Sequence, residues 1–170
     1  KTKGILLRPM RMSDVDDYCA CRLEQSAQSG FLGIIKTQEE AKKNLQRMLK
    51  DAHKKKPGRE LFAIIVENKY VGFVDLHDLH QKYFEHKATI GYCVHTSYRG
   101  QGIATAAVRA VTQYAFKKYR LRRIEGWCRT YNKASARVLE KAGYKLEGIL
   151  RKHKCKDGKF LDDMVWAYVR

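Results

Sequence analysis

The stretch Tyr98–Ala107, YRGQGIATAA, places two glycines after an arginine and before a run of small residues typical of a helix. The first turn of a helix has backbone N–H groups without intrahelical partners and carries a partial positive charge. Glycine lets an anion approach such a backbone because no Cβ blocks it. Arg99 adds a side chain that forms charge-assisted hydrogen bonds with phosphate. The stretch therefore predicts a phosphate-binding loop ahead of a helix that begins near Ile103.

Three other interpretations of this loop differ in what they require of the flanking residues. A dinucleotide-binding G-x-G-x-x-G would begin at Gly100, but Thr105 stands where the third glycine belongs. Glu125 lies about where a ribose-binding acid would be, yet the chain after Thr105 is too short for a doubly wound sheet. A P-loop is excluded because no Gly-Lys-Ser/Thr follows. A glycine turn that only caps the helix also fits the loop when it is considered alone.

Composition predicts one domain over residues 1–170, with 44% hydrophobic residues to build a core. No stretch approaches the roughly 20 apolar residues of a membrane span, and the first residues lack a secretory signal. The cysteines are odd in number and match no zinc spacing, so we expect no metal site and reduced thiols in the cytoplasm. They are Cys19, Cys21, Cys93, Cys128 and Cys155.

The net charge of +17 is concentrated in residues 86–170. A field of this sign attracts polyanions, which include nucleotides, acidic proteins and nucleic acids. Charge alone does not choose among these partners.

Hydrophobic patterning predicts an α/β (α+β) fold. The predicted strands are Ile5–Pro9, Leu61–Val66, Tyr70–Leu76, Lys87–His95, Arg123–Arg129, Tyr144–Leu150 and Phe160–Val169. The predicted helices start near Ser13, at a capping box over Thr37–Glu40, at Ile103 (to about Tyr119) and at Ala134 (to Ala142, followed by Gly143). A meander followed by strand–helix–strand units indicates a mixed sheet with helices on both faces.

Several motifs occur together in the order found in one superfamily. Arg99-x-x-Gly102-x-Ala104 resembles the R/Q-x-x-G-x-G/A signature of the GNAT acyltransferases. Ile90-Gly91-Tyr92 precedes it as the I-G-Y of a central strand. Further matches follow at Asn132–Ser135 (N-x-x-S), at Leu139–Tyr144 (LEKxGF-like) and at Glu147–Arg151 with Asp157-Gly158 and Asp162. A weaker R-P-x-x-x-x-D runs from Arg8 to Asp14. Together these resemble the branch that contains ribosomal-protein N-terminal acetyltransferases and polyamine acetyltransferases.

The resemblance implies that acetyl-CoA is the co-substrate and that the loop binds its pyrophosphate. It also implies a mostly antiparallel sheet whose two central strands splay, with the pantetheine arm in the gap and an oxyanion-binding N–H near Val94. Lys133, Arg137 and Lys141 are candidates for the 3′-phosphate. The implied cofactor-binding residues are Cys93, Val94, His95, Arg99, Gly100, Gln101, Gly102, Ile103, Ala104, Thr105, Asn132 and Ser135.

Acetyl transfer from a thioester needs a neutral amine, donors for the developing oxyanion and a proton for the leaving thiolate. Many superfamily members supply that proton from a Tyr, but Leu139 occupies its position here. The branch resemblance instead gives the role of general acid to Ser135, with Asn132 on the pantetheine and Tyr131 as an alternative donor. A residue at the start of a helix that only bonds to the backbone explains Ser135 equally well.

The general base is less defined, because Thr89 and Lys154 replace the two acids that the branch uses. His77 is the leading candidate, since histidine suits this work at neutral pH. The other candidates are Asp75, Glu85, His95 and a chain of ordered water.

We expect direct attack in a ternary complex, because Cys93 and Cys128 read better as small buried hydrophobes than as acetyl carriers. The amine should enter between the Gly30–Ile35 region and the last hairpin, Lys154–Phe160. Branch resemblance suggests a protein N-terminal amine, such as that of a ribosomal protein. The basic run Arg151–Lys154 disfavours a polycation.

Two other classes of function are carried forward. One is a small-molecule amine acetyltransferase acting on a polyamine or an antibiotic. The other is a non-catalytic module that senses acyl-CoA or binds RNA or the ribosome through its basic surface. The sequence leaves open whether the protein forms a dimer.

Overall fold

The computed structural model of the protein describes residues 4–24 and 35–170. Within these residues the strands are Leu6–Pro9 (β1), Arg59–Val66 (β2), Lys69–His77 (β3), Lys87–Val94 (β4), Arg123–Arg129 (β5), Lys145–Lys156 (β6) and Lys159–Val169 (β7). The α-helices are Val15–Leu23 (α1), Gln38–Ala52 (α2), Ile103–Tyr119 (α3) and Lys133–Ala142 (α4). No helix in the described residues is long and apolar enough to cross a membrane.

The strands form one seven-stranded sheet in the order β1-β2-β3-β4-β5-β7-β6. Only β4 and β5 pair in parallel, and every other neighbouring pair is antiparallel. The predicted mixed, mostly antiparallel sheet is confirmed. The last strand, β7, lies between β5 and β6, so β6 forms the edge of the sheet on this side.

Helices cover both faces of the sheet, as predicted. We call the face that packs against α1 and α2 the front face, and the face that packs against α3 and α4 the back face. Adjacent residues of β3 show the alternation: Phe73 joins the front core with Tyr18 and Leu45, while Val74 joins the back core with Val108. Each such side chain contributes roughly 1.5–3 kcal/mol when fully buried.

The central strands part where the resemblance implies that they should. The β4–β5 ladder runs from the pair Lys87 and Arg123 to the pair Ile90 and Gly126, and no pairing continues beyond it. Both strands nevertheless extend further, to Val94 and to Arg129. A gap therefore opens between residues 91–94 and residues 127–129.

Helix α4 flanks this gap because Gly126 lets it approach β5 closely. A Cβ on Gly126 would lie 2.5 Å from Leu139 Cδ2. The helix is fixed at both ends, since Asn132 Oδ1 accepts the Ser135 N–H at 3.1 Å and Gly143 closes it with a left-handed φ of 98°. The start of α4, which carries two predicted site residues, is thus held beside the gap.

The capping box predicted at Thr37–Glu40 is half formed. Thr37 Oγ1 accepts the Glu40 N–H at 3.1 Å, as predicted. The Glu40 carboxylate, however, accepts the N–H of Lys36 at 2.6 Å instead of that of Thr37.

Candidate active site

The gap between β4 and β5 belongs to a cleft of about 1270 Å³ that runs past both faces of the sheet. His95 and Gln101 are the predicted site residues that do not line it. Those that line it are His77, Cys93, Val94, Arg99, Gly100, Gly102, Ile103, Ala104, Thr105, Tyr131, Asn132 and Ser135. Twelve of the 14 predicted site residues therefore line the cleft, although the role of each residue stays a prediction. Among the described residues, no group of three His, Cys, Asp or Glu side chains could hold a metal ion.

The glycine loop has the backbone that the sequence analysis required. Gly100 and Gly102 adopt left-handed φ angles of 76° and 78°, which other residues rarely adopt without strain. Gly102 is the N-cap of α3, which begins at Ile103 as predicted. The free N–H groups of the first turn of α3 therefore face the cleft beside Ala104 and Thr105. This arrangement can bind a phosphate group.

Arg99 is already paired with a carboxylate that the sequence analysis did not single out. Its Nη2 lies 3.2 Å from Oε2 of Glu24, and its Nε donates to the Val94 carbonyl at 2.8 Å. Glu24 follows α1 and also accepts the N–H of Thr96 at 3.0 Å. Burial raises the pKa of Glu24, but hydrogen bonds from Thr96 and the nearby charges of His95 and Arg99 bring that pKa below its ordinary value.

His95, a predicted member of the site, serves this carboxylate rather than the cleft. Its Nε2 lies 3.0 Å from Glu24 Oε1, and its Nδ1 accepts the Ser97 N–H at 3.3 Å. Both ring nitrogens are thus engaged, so this geometry disfavours His95 as the general base. Glu85 is disfavoured as well, because it is exposed and does not line the cleft.

Backbone groups of β4 face the gap. His95 donates its N–H to the Val71 carbonyl at 2.9 Å, in line with the β3–β4 ladder. Successive residues of a strand direct their N–H groups to opposite edges, so the Val94 N–H points away from β3 and toward the gap. The Val94 carbonyl shares that direction and meets Arg99. An oxyanion donor near Val94 is therefore compatible with the geometry.

On the back face, Tyr92 and Ser135 form a hydroxyl pair beside the gap. Their oxygens are 2.7 Å apart, and the Tyr92 hydroxyl also lies 3.1 Å from the Ser135 carbonyl. Burial raises the pKa of Tyr92, so its hydroxyl keeps its proton at neutral pH. Ser135 satisfies both interpretations of the sequence: its N–H bonds to Asn132, and its side chain lines the cleft.

Two neighbours of this pair have less direct roles. Tyr131, the alternative proton donor, is 54% exposed at the rim of the cleft. Cys128 is buried in the wall, and burial raises the pKa of its thiol. A thiol held in its protonated form is a poor nucleophile.

On the front face, His77 and Asp75 form an imidazole–carboxylate pair. His77 Nδ1 lies 3.0 Å from Oδ2 of the buried Asp75, which also contacts Arg59 at 3.3 Å. Burial lowers the pKa of His77, but the hydrogen bond and the charge of Asp75 outweigh it, so the pKa is raised. Gly91 makes room for this pair, because a Cβ there would lie 2.4 Å from Asp75 Oδ1.

A second carboxylate stands near the free side of the imidazole. Asp78 Oδ2 is 3.8 Å from His77 Nε2 and accepts the hydroxyl of Thr89 at 2.8 Å. Thr89 occupies the position where the branch often has an acid, so here it positions a carboxylate from another element. Asp78 was not predicted from the sequence, because nothing in the chain order links it to Thr89.

The front face also holds a basic group around a buried carboxylate on the far side of the gap. Asp163 is fully buried on β7 and contacts its cross-strand partner Arg129. It also lies 2.8 Å from His153 Nδ1 and 3.4 Å from Lys154 Nζ. The basic run is evident in the sequence, but its buried carboxylate is not. The Gly30–Ile35 region, expected to face it, lies outside the described residues except for Ile35.

Comparisons with known proteins agree with this geometry. The model of the acetyltransferase (GNAT) domain matches residues 5–145. The chain is 30% identical to the probable N-acetyltransferase YjcK of Bacillus subtilis, over 98% of this chain and 94% of that protein. It is 31% identical to the ribosomal-protein-serine acetyltransferase of Escherichia coli, over 61% of this chain and 54% of that protein.

A solved structure of an acetyltransferase has the same fold. Mycobacterium smegmatis RimJ in complex with CoA-disulfide superposes with a TM-score of 0.87 at 25% identity, over 99% of this chain and 83% of that chain. The chain therefore belongs to the GNAT family of acetyl-CoA-dependent N-acetyltransferases.

Proposed function

We propose that this acetyltransferase acetylates a protein N-terminal amine, with a ribosomal protein as the candidate acceptor, by direct attack on acetyl-CoA in a ternary complex. One observation carries the proposal. Where β4 and β5 part, Tyr92 and Ser135 lie on the back face, and His77 and Asp75 lie on the front face. The hydroxyl pair, a candidate acid, and the imidazole–carboxylate pair, a candidate base, therefore lie on opposite faces of the same gap.

In this proposal acetyl-CoA lies along the back face. Its pyrophosphate binds the N–H groups at the start of α3, and its pantetheine arm enters the gap near Asn132. Arg137 and Lys141 line the cleft and are available to the nucleotide phosphates, whereas Lys133 does not line it. Placing the thioester at the gap supplies part of the rate enhancement through positioning alone.

The amine approaches from the front face in its neutral form, and His77 Nε2 accepts one proton from its nitrogen during the attack. Asp75 holds the Nδ1–H and so fixes the tautomer that leaves Nε2 free to accept. The nitrogen then forms a bond to the acetyl carbon, and the negative charge that develops on the carbonyl oxygen is met by the Val94 N–H. The C–S bond breaks, and Ser135 gives its hydroxyl proton to the thiolate. Tyr92 restores that proton across the 2.7 Å contact, and exchange with solvent then removes the proton from His77 and returns one to the Tyr92 oxygen.

The choice of a protein amine rests on charge and on the relatives. The front face carries Arg129 and Lys154 beside the entry side of the gap, and the whole chain has a net charge of +17. Such a field repels a polyamine and favours acidic or RNA-bound partners. A relative that matches over 61% of this chain is named a ribosomal-protein-serine acetyltransferase.

The proposal is tested with the purified protein, acetyl-CoA and three acceptor panels. The panels are peptides with the N-termini of ribosomal proteins, polyamines and aminoglycosides, with released CoA and product mass as readouts. We expect acetylation of peptide α-amines and none of the same peptides carrying a blocked N-terminus. Turnover confined to polyamines or aminoglycosides would assign the small-molecule function instead. If no panel is acetylated and RNA binds in a strongly salt-dependent manner without regard to CoA, the protein acts as a binding module.

A further inference from the structure

We propose that the front face selects acceptors in which a carboxylate lies close to the reacting amine, and that Lys154 and His153 bind this carboxylate. The proposal rests on the proposed function, because it takes the front face as the acceptor side. It names the chemistry of the acceptor rather than its identity. Two sources offer this chemistry: an acidic residue next to a protein N-terminus, and the α-carboxylate of a free amino acid.

The first observation is that the two walls of the front face differ in charge. The β5–β4 register pairs Glu125 with Thr89, and period two along each strand then places Trp127 and Arg129 on the same face as Gly91. The wall on the β3 side carries Asp75 and Asp78 around His77. An ammonium group is attracted to such carboxylates.

The opposite wall has more donors and more positive charge than its own carboxylate can satisfy. Asp163 has two oxygens, which face Arg129, His153 and Lys154. Lys154 has three N–H donors, and its Nζ lies 3.4 Å from a single Asp163 oxygen, Oδ2. Arg129 Nε is buried and has no partner among the described residues. Arg129 and Lys154 carry two positive charges against the single negative charge of Asp163, so this wall keeps positive charge after Asp163 is paired.

Asp163 remains charged beneath the basic side chains that surround it. Burial raises its pKa, but hydrogen bonds from His153 and Arg129 lower it below the ordinary value. The carboxylate is therefore a fixed anchor that orients the cations, and it does not exchange its charge near neutral pH.

An aromatic platform orients the two accessible members of the wall toward the cleft. The rings of Trp127 and His153 stack with centroids 5.2 Å apart, and Lys154 Nζ lies 5.9 Å from the centre of the Trp127 ring. All three line the same cleft as His77. The side chains of His153 and Lys154 are 33% and 29% exposed, so a ligand can reach them.

An acceptor that bridges both walls presents its amine to His77 and its carboxylate to Lys154 and His153. A polyamine places a second cation against the basic wall, and a peptide with a neutral second residue makes no contact there. The cluster thus discriminates among acceptors by differential binding.

The experiment compares matched peptides whose second residue is Asp, Asn or Lys, together with free amino acids and their amides. We expect the wild-type kcat/KM to favour Asp over Asn by about tenfold, the effect of one hydrogen bond to a charged group, and mostly through KM. Lys154→Gln removes one cation but leaves Arg129 and His153 on Asp163, and it should reduce the preference to about threefold or less.

Lys145→Gln is the matched control, because it removes the same charge from the same strand outside the cleft. It should keep the wild-type preference. Equal kcat/KM for the Asp and Asn peptides in the wild type, or an unchanged preference in folded Lys154→Gln, would overturn the proposal. Acetylation of peptides without any charge preference sinks this proposal alone. If free amino acids are acetylated in preference to their amides and no peptide is acetylated, the carboxylate-binding proposal stands and the protein-amine proposal fails.

Discussion

The hydroxyl oxygens of Tyr92 and Ser135 lie 2.7 Å apart across the back of the cleft. Tyr92 comes from β4 and Ser135 from the first turn of α4, so the contact joins one strand of the gap to the helix that flanks the gap. If Tyr92 donates to Ser135 Oγ, the serine proton is free to point at the leaving sulfur. A serine that is a weak acid by itself then acts at the end of a short relay.

Tyr92→Phe should lower kcat by about tenfold to a hundredfold, within the range of one general acid, with little change in acetyl-CoA affinity. Ser135→Ala should lower kcat at least as far, and the double variant should be little worse than Ser135→Ala because the two act in series. Single-turnover rates and equilibrium binding measure this. Tyr144→Phe is the control, since it breaks a comparable 2.7 Å contact, with Thr112, away from the cleft. A fully active Tyr92→Phe variant would contradict the proposed proton relay from Tyr92 to Ser135.

The pH profile tests the His77–Asp75 pair. The raised pKa of His77 means that activity through this base should reach half of its maximum above the ordinary histidine value of about 6.5. Asp75→Asn removes the largest cause that raises the pKa of His77 and leaves burial, which lowers that pKa, opposed only by the weaker effect of Asp78. Its half-maximum should therefore move to lower pH, with a reduced plateau. His77→Gln should lose the step altogether. The same acceptor peptide is used throughout, so that its own titration cancels, and an unmoved profile would return the base to ordered water.

Gly91→Ala should disturb the His77–Asp75 pair by a steric clash. The new Cβ would lie 2.4 Å from Asp75 Oδ1, so the carboxylate and the His77 ring must move. We expect a loss of about 1–3 kcal/mol of unfolding free energy together with reduced activity. Gly148→Ala is the control, because nothing lies within 4 Å of its Cβ. Thermal unfolding and turnover of both variants decide it. Equal behaviour of the two would show that Asp75 tolerates the methyl group.

The neighbours Asp162 and Asp163 should differ sharply in their effect on stability. Asp163→Asn leaves Arg129 buried beside a neutral amide, which should cost about 3–5 kcal/mol. The depressed pKa of Asp163 means that its contribution is present above its unfolded pKa and is lost only as pH falls through the lower folded value. Asp162→Asn keeps an oxygen for the Lys152 N–H and should cost under about 1 kcal/mol. Chemical denaturation at neutral pH checks both. Similar losses would mean that Asp163 is not the anchor of the cluster.

Features set by local sequence were predictable. Helix α3 runs from Ile103 to Tyr119 as predicted, because glycine-permitted turns and apolar periodicity define it. The final hairpin was predicted too short, with β6 ending at Leu150. Asp157 and Gly158 both adopt left-handed φ angles, 51° and 73°, which form a two-residue turn and let both strands continue to it.

Features that depend on distant partners were not predictable. Glu24 meets Arg99 only because α1 ends beside β4, and Asp78 meets Thr89 only through the β3–β4 register. The insertion of β7 between β5 and β6 places Asp163 against Arg129. No spacing in one sequence encodes these contacts, since each joins segments through the sheet order.

The pairing of Arg99 with Glu24 predicts opposite effects on acetyl-CoA binding. Arg99→Ala should raise the dissociation constant about tenfold or more, through loss of a charge-assisted bond to phosphate. Glu24→Gln should lower the dissociation constant by about threefold, because Arg99 no longer has to give up its contact with a carboxylate before it binds the phosphate. Isothermal titration with acetyl-CoA measures both.

Glu147→Gln is the matched control, because it removes the same negative charge at an exposed pair with Arg123, outside the cleft. Equal tightening in Glu24→Gln and Glu147→Gln would reduce the effect to net charge. Weaker binding in Glu24→Gln would instead show that the carboxylate positions Arg99 for the phosphate, because the guanidinium then needs Glu24 to stay at the mouth of the loop.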